Sequence, residues 1–344
     1  MIKHRLRGSA VMSAAALAVV ATTLAGCSST AGSPAASSSG GKTIQIAYLS
    51  FAVANSYDAP MLAAAQAEAA DSNAVLTVFD ANNDPQAQFT QLQNAITSGK
   101  YQGIITQPIL GTGLTSLVGQ AIAKGIKVVN IDQILGPDLS TDKPQVKGLS
   151  ANVTFVPTVI GTQLGQQVIA ACASKNLDPC NVGYLYDIKA SALDTAMNKA
   201  FVAATTSTSA VKIVAEGEDF FTPANGLKAV QDMLQSHPEL NLIVGSDQGL
   251  EGASQALSAT GKAGKVILVG FGASAAGAKG VASGAWYSDV AQAPASEGRL
   301  GVKALVAAIR NGTSGGAIDP VASLPNHGLV SIDTAKEFVP EWPG

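Results

Sequence analysis

From residue 43 onward the chain alternates short β-branched runs with amphipathic helical runs, and this alternation leaves few ways to fold. "TIQIAYLS" (43–50) reads as a strand, "APMLAAAQAEAADSN" as a helix and "AVLTVFD" (74–80) as a strand, and "DPQAQFTQLQNAITSG" places Phe89, Leu92 and Ile96 on one helical face. "GIITQ" (103–107), a helix over 112–123 and "IKVVNID" (126–132) continue the series. Strands separated by helices are joined in parallel, so the sheet is covered on both faces. The pattern pauses at "QILGPDLSTDKPQ". It resumes with "QVKGLSAN", expected as a strand crossing into a second unit, and with a helical stripe of Ile160, Leu164 and Val168. "NVGYLYD", "VKIVAEG", "NLIVGSD" and "KVILVGFG" read as strands between helices near 191–204, 224–235 and 249–259. A strand in "AWYSDVAQ", a long helix in "ASEGRLGVKALVAAIRNG" and a short strand in "HGLVSID" close the pattern. The expected fold class is α/β, with two doubly wound Rossmann-like lobes and a ligand cleft between them, beyond the carboxyl ends of the strands. Roughly 300 residues is also the size at which chains divide into two domains.

The head of the chain does not belong to this pattern. Lys3, Arg5 and Arg7 precede the apolar run "AVMSAAALAVVATT", which is short for a membrane span of about 20 residues and suits a secretory signal. Leu24-Ala25-Gly26-Cys27 resembles the lipobox of bacterial lipoproteins, and a Ser/Gly/Ala linker follows it. Residues 1–26 are therefore expected as a lipoprotein signal peptide and 27–42 as a flexible linker after a lipidated Cys27; the alternatives are an ordinary signal peptide or a chance cysteine. Loss of the head removes three of 21 basic residues and none of 24 acidic ones, leaving 18 against 24, a net charge of −6. No basic block survives, so nucleic acid is not an expected partner. Cys172 and Cys180, in "CASKNLDPC", are the remaining cysteines. Outside the cytoplasm they are expected to form a structural disulfide, the alternative being two buried thiols; C-x7-C lacks the tight spacing of a redox dithiol.

Several longer words then agree in order and spacing: "IAYLSFAVANSYDAP", "DANNDPQAQFTQLQNAITSG", "GIITQP", "GIKVVNIDQ", "DFFTPANGLKAVQDMLQSHPELNLIVGSDQGLEGASQAL", "VILVGFG" and "VAQAP". Residues 43 to about 333 resemble the periplasmic sugar-binding proteins of the ribose and galactose type, solute receptors of ABC importers with the type 1 periplasmic binding protein fold. The resemblance implies three crossings between lobes, near 147–152, 290–294 and 320–325, with the last long helix returning to the first lobe. The implied lobes are 43–147 plus 293–322 and 148–292 plus 323–338. It also implies ligand contacts at Asn55, Tyr57, Asp132, Phe221 and Gln292. Fixed carboxylates and amides pair with hydroxyl groups while an aromatic plate covers a C–H face, so these residue types suit a sugar or polyol. Each has a plainer reading as well: a helix cap for Asn55, core aromatics for Tyr57 and Phe221, an Asx-turn for Asp132 and a backbone bond at the hinge for Gln292.

The departures from the family pattern matter too. Ser246 stands where the family usually has an asparagine and Gly272 where it has an aspartate, and the cleft arginine expected within "ASALDTAMNKAF" is missing, with Thr195 the nearest match. Gln133, Asp187, Lys189, Thr195 and Ser246 are further candidates to fill the gaps, or the ligand is smaller, deoxygenated or differently shaped. Asp80, Asn82 and Asp84 begin a calcium-loop spacing, but Pro85 takes the place of the flexible glycine and Asp84 reads better as a helix cap. His237 and His327 have no ligand-spaced partner, and no phosphate-cradling loop is present. No metal, cofactor or catalytic group is expected. The expectation is a monomeric extracytoplasmic receptor, lipid-anchored to the cell membrane, that delivers a small sugar or polyol to an ABC permease. The alternatives are a sensing module signalling to a membrane partner and an enzyme acting on a small polar substrate.

Overall fold

The computed structural model describes residues 42–344, so the expected signal peptide, Cys27 and nearly all of the linker lie outside the described residues. The first half runs β1 (Ile44–Ser50), α1 (Asp58–Asp71), β2 (Ala74–Asp80), α2 (Pro85–Thr97), β3 (Gly103–Thr106), α3 (Gly111–Ala123), β4 (Lys127–Asp132) and β5 (Ala151–Thr154). The second runs α4 (Pro157–Ser174), β6 (Cys180–Tyr186), α5 (Ala192–Thr205), β7 (Val211–Glu218), α6 (Pro223–Ser236), β8 (Leu242–Ser246), α7 (Asp247–Ala259), β9 (Ile267–Gly272), α8 (Ala275–Ala282) and β10 (Ser288–Ala291). Then α9 (Pro294–Asn311) and β11 (Gly316–Ile318) return to the first sheet, and β12 (Leu329–Ser331) to the second.

The two sheets have the same order, β2-β1-β3-β4-β5-β11 and β7-β6-β8-β9-β10-β12. Pairing is parallel except where β12 runs against β10. Each sheet is therefore doubly wound, and its order reverses at β1/β3 or β6/β8. Because alternate side chains of a strand leave opposite faces, every strand feeds two cores. Ile46 and Tyr48 pack with Met61, Val302 and Leu305 from α1 and α9, while Ala47 and Leu49 pack with Leu92, Leu114 and Val118 from α2 and α3. In the second lobe Val182 and Tyr184 meet Leu164, Met197 and Phe201 from α4 and α5, and Leu185 and Ile243 meet Val230 and Leu250 from α6 and α7. Gly298 is what lets α9 lie against α1, since a Cβ there would stand 2.0 Å from the Met61 carbonyl oxygen.

The chain passes between the sheets at Phe155-Val156, at Gln292-Ala293 and through 319–328. The first passage corrects the expected boundary at 147/148 and the expected strand over "QVKGLSAN". Ser150 N–H donates to the Val128 carbonyl and Ala151 pairs with Val129, so the strand begins at 151 and belongs to the first sheet. Sequence reading also passed over α8 and β11. Cys172 and Cys180 form a disulfide with Cα atoms 5.8 Å apart, tying the end of α4 to the start of the interior strand β6.

Candidate ligand-binding cleft

The carboxyl ends of the strands of both lobes border a cleft of about 560 Å³, its mouth included. On the first-lobe side, Asp132 ends β4 in the left-handed region, with φ of +65°, and its side chain is buried. Gln107, just past β3 and wholly buried, organises this wall. Its Nε2 donates to Asp58 Oδ1 and, at 3.0 Å, to Asp132 Oδ2, while its Oε1 accepts the Phe51 N–H at 3.1 Å. Asp132 Oδ1 has no protein donor. Burial, followed by the charge of Asp132, pushes the Asp58 carboxyl up to about 8, and burial pushes Asp132 up to about 7; among the described residues no cation lines the cleft to hold either one ionised. Behind them Tyr57 donates its hydroxyl to Glu297 Oε1 at 3.2 Å, while Glu297 Oε2 and the Tyr48 hydroxyl have no hydrogen-bond partner. Burial and then Asp132 push the Glu297 carboxyl well above its usual range.

The second-lobe wall is built from the turns after β6, β7, β8 and β9. Phe220 and Phe221 are both left-handed, with φ of +51° and +56°, a conformation that strains bulky residues and needs holding in place. Asp219 does the holding: its Oδ1 accepts the Phe221 N–H at 2.8 Å, and its carbonyl accepts the Thr222 N–H and hydroxyl. The result turns Phe221 into the cleft and leaves Phe220 exposed. Asp187 is 1 % exposed, and neither of its oxygens meets a donor at hydrogen-bonding geometry, although Asp219 and Ser246 lie alongside. Ser246 donates to Asp219 Oδ2 and caps α7. One direct bond spans the cleft: Gln248 Nε2 donates to Ser56 Oγ at 3.1 Å.

The structure brings all five of the family-implied positions, Asn55, Tyr57, Asp132, Phe221 and Gln292, to this cleft, together with Gln133, Asp187 and Ser246. The plainer reading of Asn55 also holds for half of its amide, since Oδ1 accepts the Tyr57 N–H at 2.8 Å; its N–H groups have no protein acceptor. Lys189 and Thr195 are elsewhere. The Lys189 ammonium pairs with Glu216 and lies over the Tyr186 ring, and Thr195, on the solvent face of α5, gives its hydroxyl to the Ser191 carbonyl. From that segment it is Leu193 that reaches the cleft. Asp80 and Asp84 are occupied by backbone: Asp80 Oδ1 accepts Val53 and Asn82 N–H groups, and Asp84 caps α2 through Gln86 and Ala87. Sequence reading missed Phe51, Asp58, Phe155, Gln248, Phe271 and Trp342, and Gln107 behind them.

Residues 46–314 match the family model for the periplasmic binding protein domain. The chain belongs to that family. This periplasmic binding protein is 26% identical to the D-allose-binding periplasmic protein of Escherichia coli (strain K12) over 256 residues, 74% of this chain and 76% of the relative. It is 25% identical to the ribose import binding protein of the same organism over 240 residues, 70% of this chain and 76% of the relative. Among solved structures, an ABC transporter solute binding protein from Bacillus halodurans C-125 with bound myo-inositol superposes with a TM-score of 0.73 at 22% identity, covering 86% of this chain and 96% of that one. Such a likeness speaks for the fold. Within it, this periplasmic binding protein makes one substitution legible: Gly272, where the resemblance implies an aspartate, has φ of +133°, and a Cβ there would stand 2.6 Å from Trp342 Cζ2. The indole, whose Nε1 donates to the Gly272 carbonyl at 2.9 Å, occupies the room a side chain would need. An aromatic wall stands where the family pattern has a carboxylate.

Proposed function

We propose that the protein is an extracytoplasmic solute receptor that captures a small sugar or polyol by closing two lobes around it and delivers it to the permease of an ABC importer. The observation that carries this reading is the convergence on one cleft of Asn55, Tyr57 and Asp132 from one lobe, Phe221, Asp187 and Ser246 from the other, and Gln292 at a crossing. Carboxylate, amide and hydroxyl groups set among aromatic rings bind hydroxyls in the plane of a sugar and cover its C–H faces. The names of the relatives, which bind allose or import ribose, point the same way. A thermal-shift screen of the full chain against pentoses, hexoses, inositols and sugar alcohols tests it, because a ligand that binds only the native state raises the melting temperature. Failure of every sugar and polyol, neutral or amino, to do so overturns the sugar reading.

We further propose that the receptor works as a monomer held at the membrane by lipid on Cys27, on the strength of the basic head, the apolar run and Leu24-Ala25-Gly26-Cys27. One acyl chain binds membranes marginally and two bind stably, so a diacylglyceryl cysteine is sufficient as an anchor. Cys27→Ser should release the protein from membranes or stall its processing. An unmodified chain of unchanged membrane affinity in intact-mass and fractionation measurements would remove the anchor.

A further inference from the structure

The cleft is one-sided in charge. Asp58 and Asp132 line it from the first lobe and Asp187 from the second, and among the described residues no lysine, arginine or histidine lines it. The cations in reach of neither wall are committed outside: Arg299 bonds Ser296 and faces Glu341 at 3.9 Å, Arg310 bonds the Ser72 carbonyl, and Lys189 pairs with Glu216. Two observations leave room for a ligand donor between these acids. Asp187 is buried with both oxygens unpartnered and borders the cavity, and Asp132 has one oxygen free to meet a ligand donor. The same cavity is ringed by Phe51, Tyr57, Phe155, Phe221, Phe271 and Trp342, whose negative π faces attract an ammonium group as well as C–H bonds.

A neutral sugar would satisfy hydroxyl partners but leave these buried acids either protonated or carrying an uncompensated charge, whereas an ammonium group would let them ionise against it. We propose that the solute carries a protonated amino group, as an amino sugar or amino polyol does, held between Asp58 and Asp132 of one lobe and Asp187 of the other with aromatic rings against its carbon faces. The inference rests on the solute-receptor reading above and narrows its ligand class. The groups that face the three acids reinforce the need: Asp80, Glu297, Tyr48 and Tyr57 surround Asp58 and Asp132, and Asp194 and Asp219 flank Asp187, with no cation among them. Burial raises all three acids, Asp58 to about 8 and Asp132 to about 7, so affinity for an amine that stays protonated over the range, such as 1-amino-1-deoxysorbitol, should rise from pH 5 to pH 8 as Asp58 and Asp132 ionise.

The test is calorimetry on the full chain with matched trios: glucosamine, glucose and N-acetylglucosamine; galactosamine, galactose and N-acetylgalactosamine; 1-amino-1-deoxysorbitol, sorbitol and its N-acetyl derivative. At least one amine is expected to bind about tenfold or more tightly than both its neutral parent and its N-acetyl form, the scale of a desolvated cation–π contact joined to a charge-assisted hydrogen bond. In Asp132→Asn and Asp187→Asn, each checked for folding by its melting curve, that ratio should collapse toward one, the amine losing more affinity than its neutral parent. A neutral parent that binds as tightly as its amine overturns the inference and leaves the receptor reading standing. If no member of any trio binds, the inference falls, and if the wider neutral screen is also empty the sugar reading falls with it.

Discussion

Gln107 shows how much a single side chain arranges. Its one amide supplies the donor shared by Asp58 and Asp132 and receives the Phe51 N–H, while its backbone carbonyl accepts Gln88 Nε2 at 2.8 Å. The two acids it holds have native-state pKa values near 8 and 7 against an ordinary 3.8, so the native state binds more protons than the unfolded chain between these limits. The stability they contribute is complete below the ordinary carboxylate range and is lost as pH rises through 7 and 8. Ligand-free protein should accordingly melt lower at pH 8 than at pH 5, and Asp58→Asn should raise the melting temperature at pH 8 more than at pH 5. Equal shifts at both pH values would show that Asp58 is not held protonated. Asp132 was legible in the sequence because it closes a β-branched strand within a recognisable word. Gln107 was not, because nothing in "GIITQP" tells that its amide turns inward. Lys189 and Thr195 fail for a geometric reason, since one step along a strand end or a helix turns a side chain from cleft to solvent.

Among the elements, α4 and β6 are the pair whose connection is covalent. The bridge between Cys172 and Cys180 closes a short loop, and both residues are buried at 2 % and 0 % exposure. In the chain-entropy account a loop of this size stabilises by roughly 2–3 kcal/mol. Guanidinium unfolding of the Cys172→Ala/Cys180→Ala protein should show that loss with little change in ligand affinity, since neither cysteine borders the cleft. A loss below about 0.5 kcal/mol would mean that the loop is already restrained when the thiols are free. Nearly all of the strands and helices could be read from pattern alone, because the strands are short apolar runs buried on both faces and the helices repeat near 3.6. The segments that escaped have no such pattern. In α8, "AAGAKGVA" offers one large apolar residue, and β11 is three residues long. The first crossing was placed early because "QVKGLSAN" looks extended, yet Gly148 sits at φ of +87° and ladder pairing starts only after it.

At the scale of the whole molecule, the lobes are also linked where Glu341 accepts from Ser296 and where Thr158 donates to the Leu139 carbonyl, while the bond from Gln248 to Ser56 joins walls that must separate for a solute to enter. A net hydrogen bond contributes about 1 kcal/mol, so Gln248→Ala should weaken solute binding by roughly 3-fold to 10-fold. The same variant should shift small-angle scattering toward a larger radius of gyration. An unchanged dissociation constant together with unchanged scattering would show that other contacts hold the lobes. The cleft was foreseen at this scale because the order of strands places their carboxyl ends face to face, whereas its aromatic character came from residues distant in sequence that no local pattern connects. Trp342 is the clearest of these, edge-on to Tyr57 with ring centroids 5.3 Å apart. The chain has one other tryptophan, Trp286, which donates to Ser254 Oγ in the second lobe and does not border the cleft. Nature has thus placed one indole chromophore at the solute and a second away from it. Excited at 295 nm, roughly the red edge of indole absorption where tyrosine contributes little, the protein should change its emission as solute enters beside Trp342, while Trp342→Phe should leave the steady signal of Trp286. The receptor carries its own optical gauge of occupancy, with an internal reference built into the same fold.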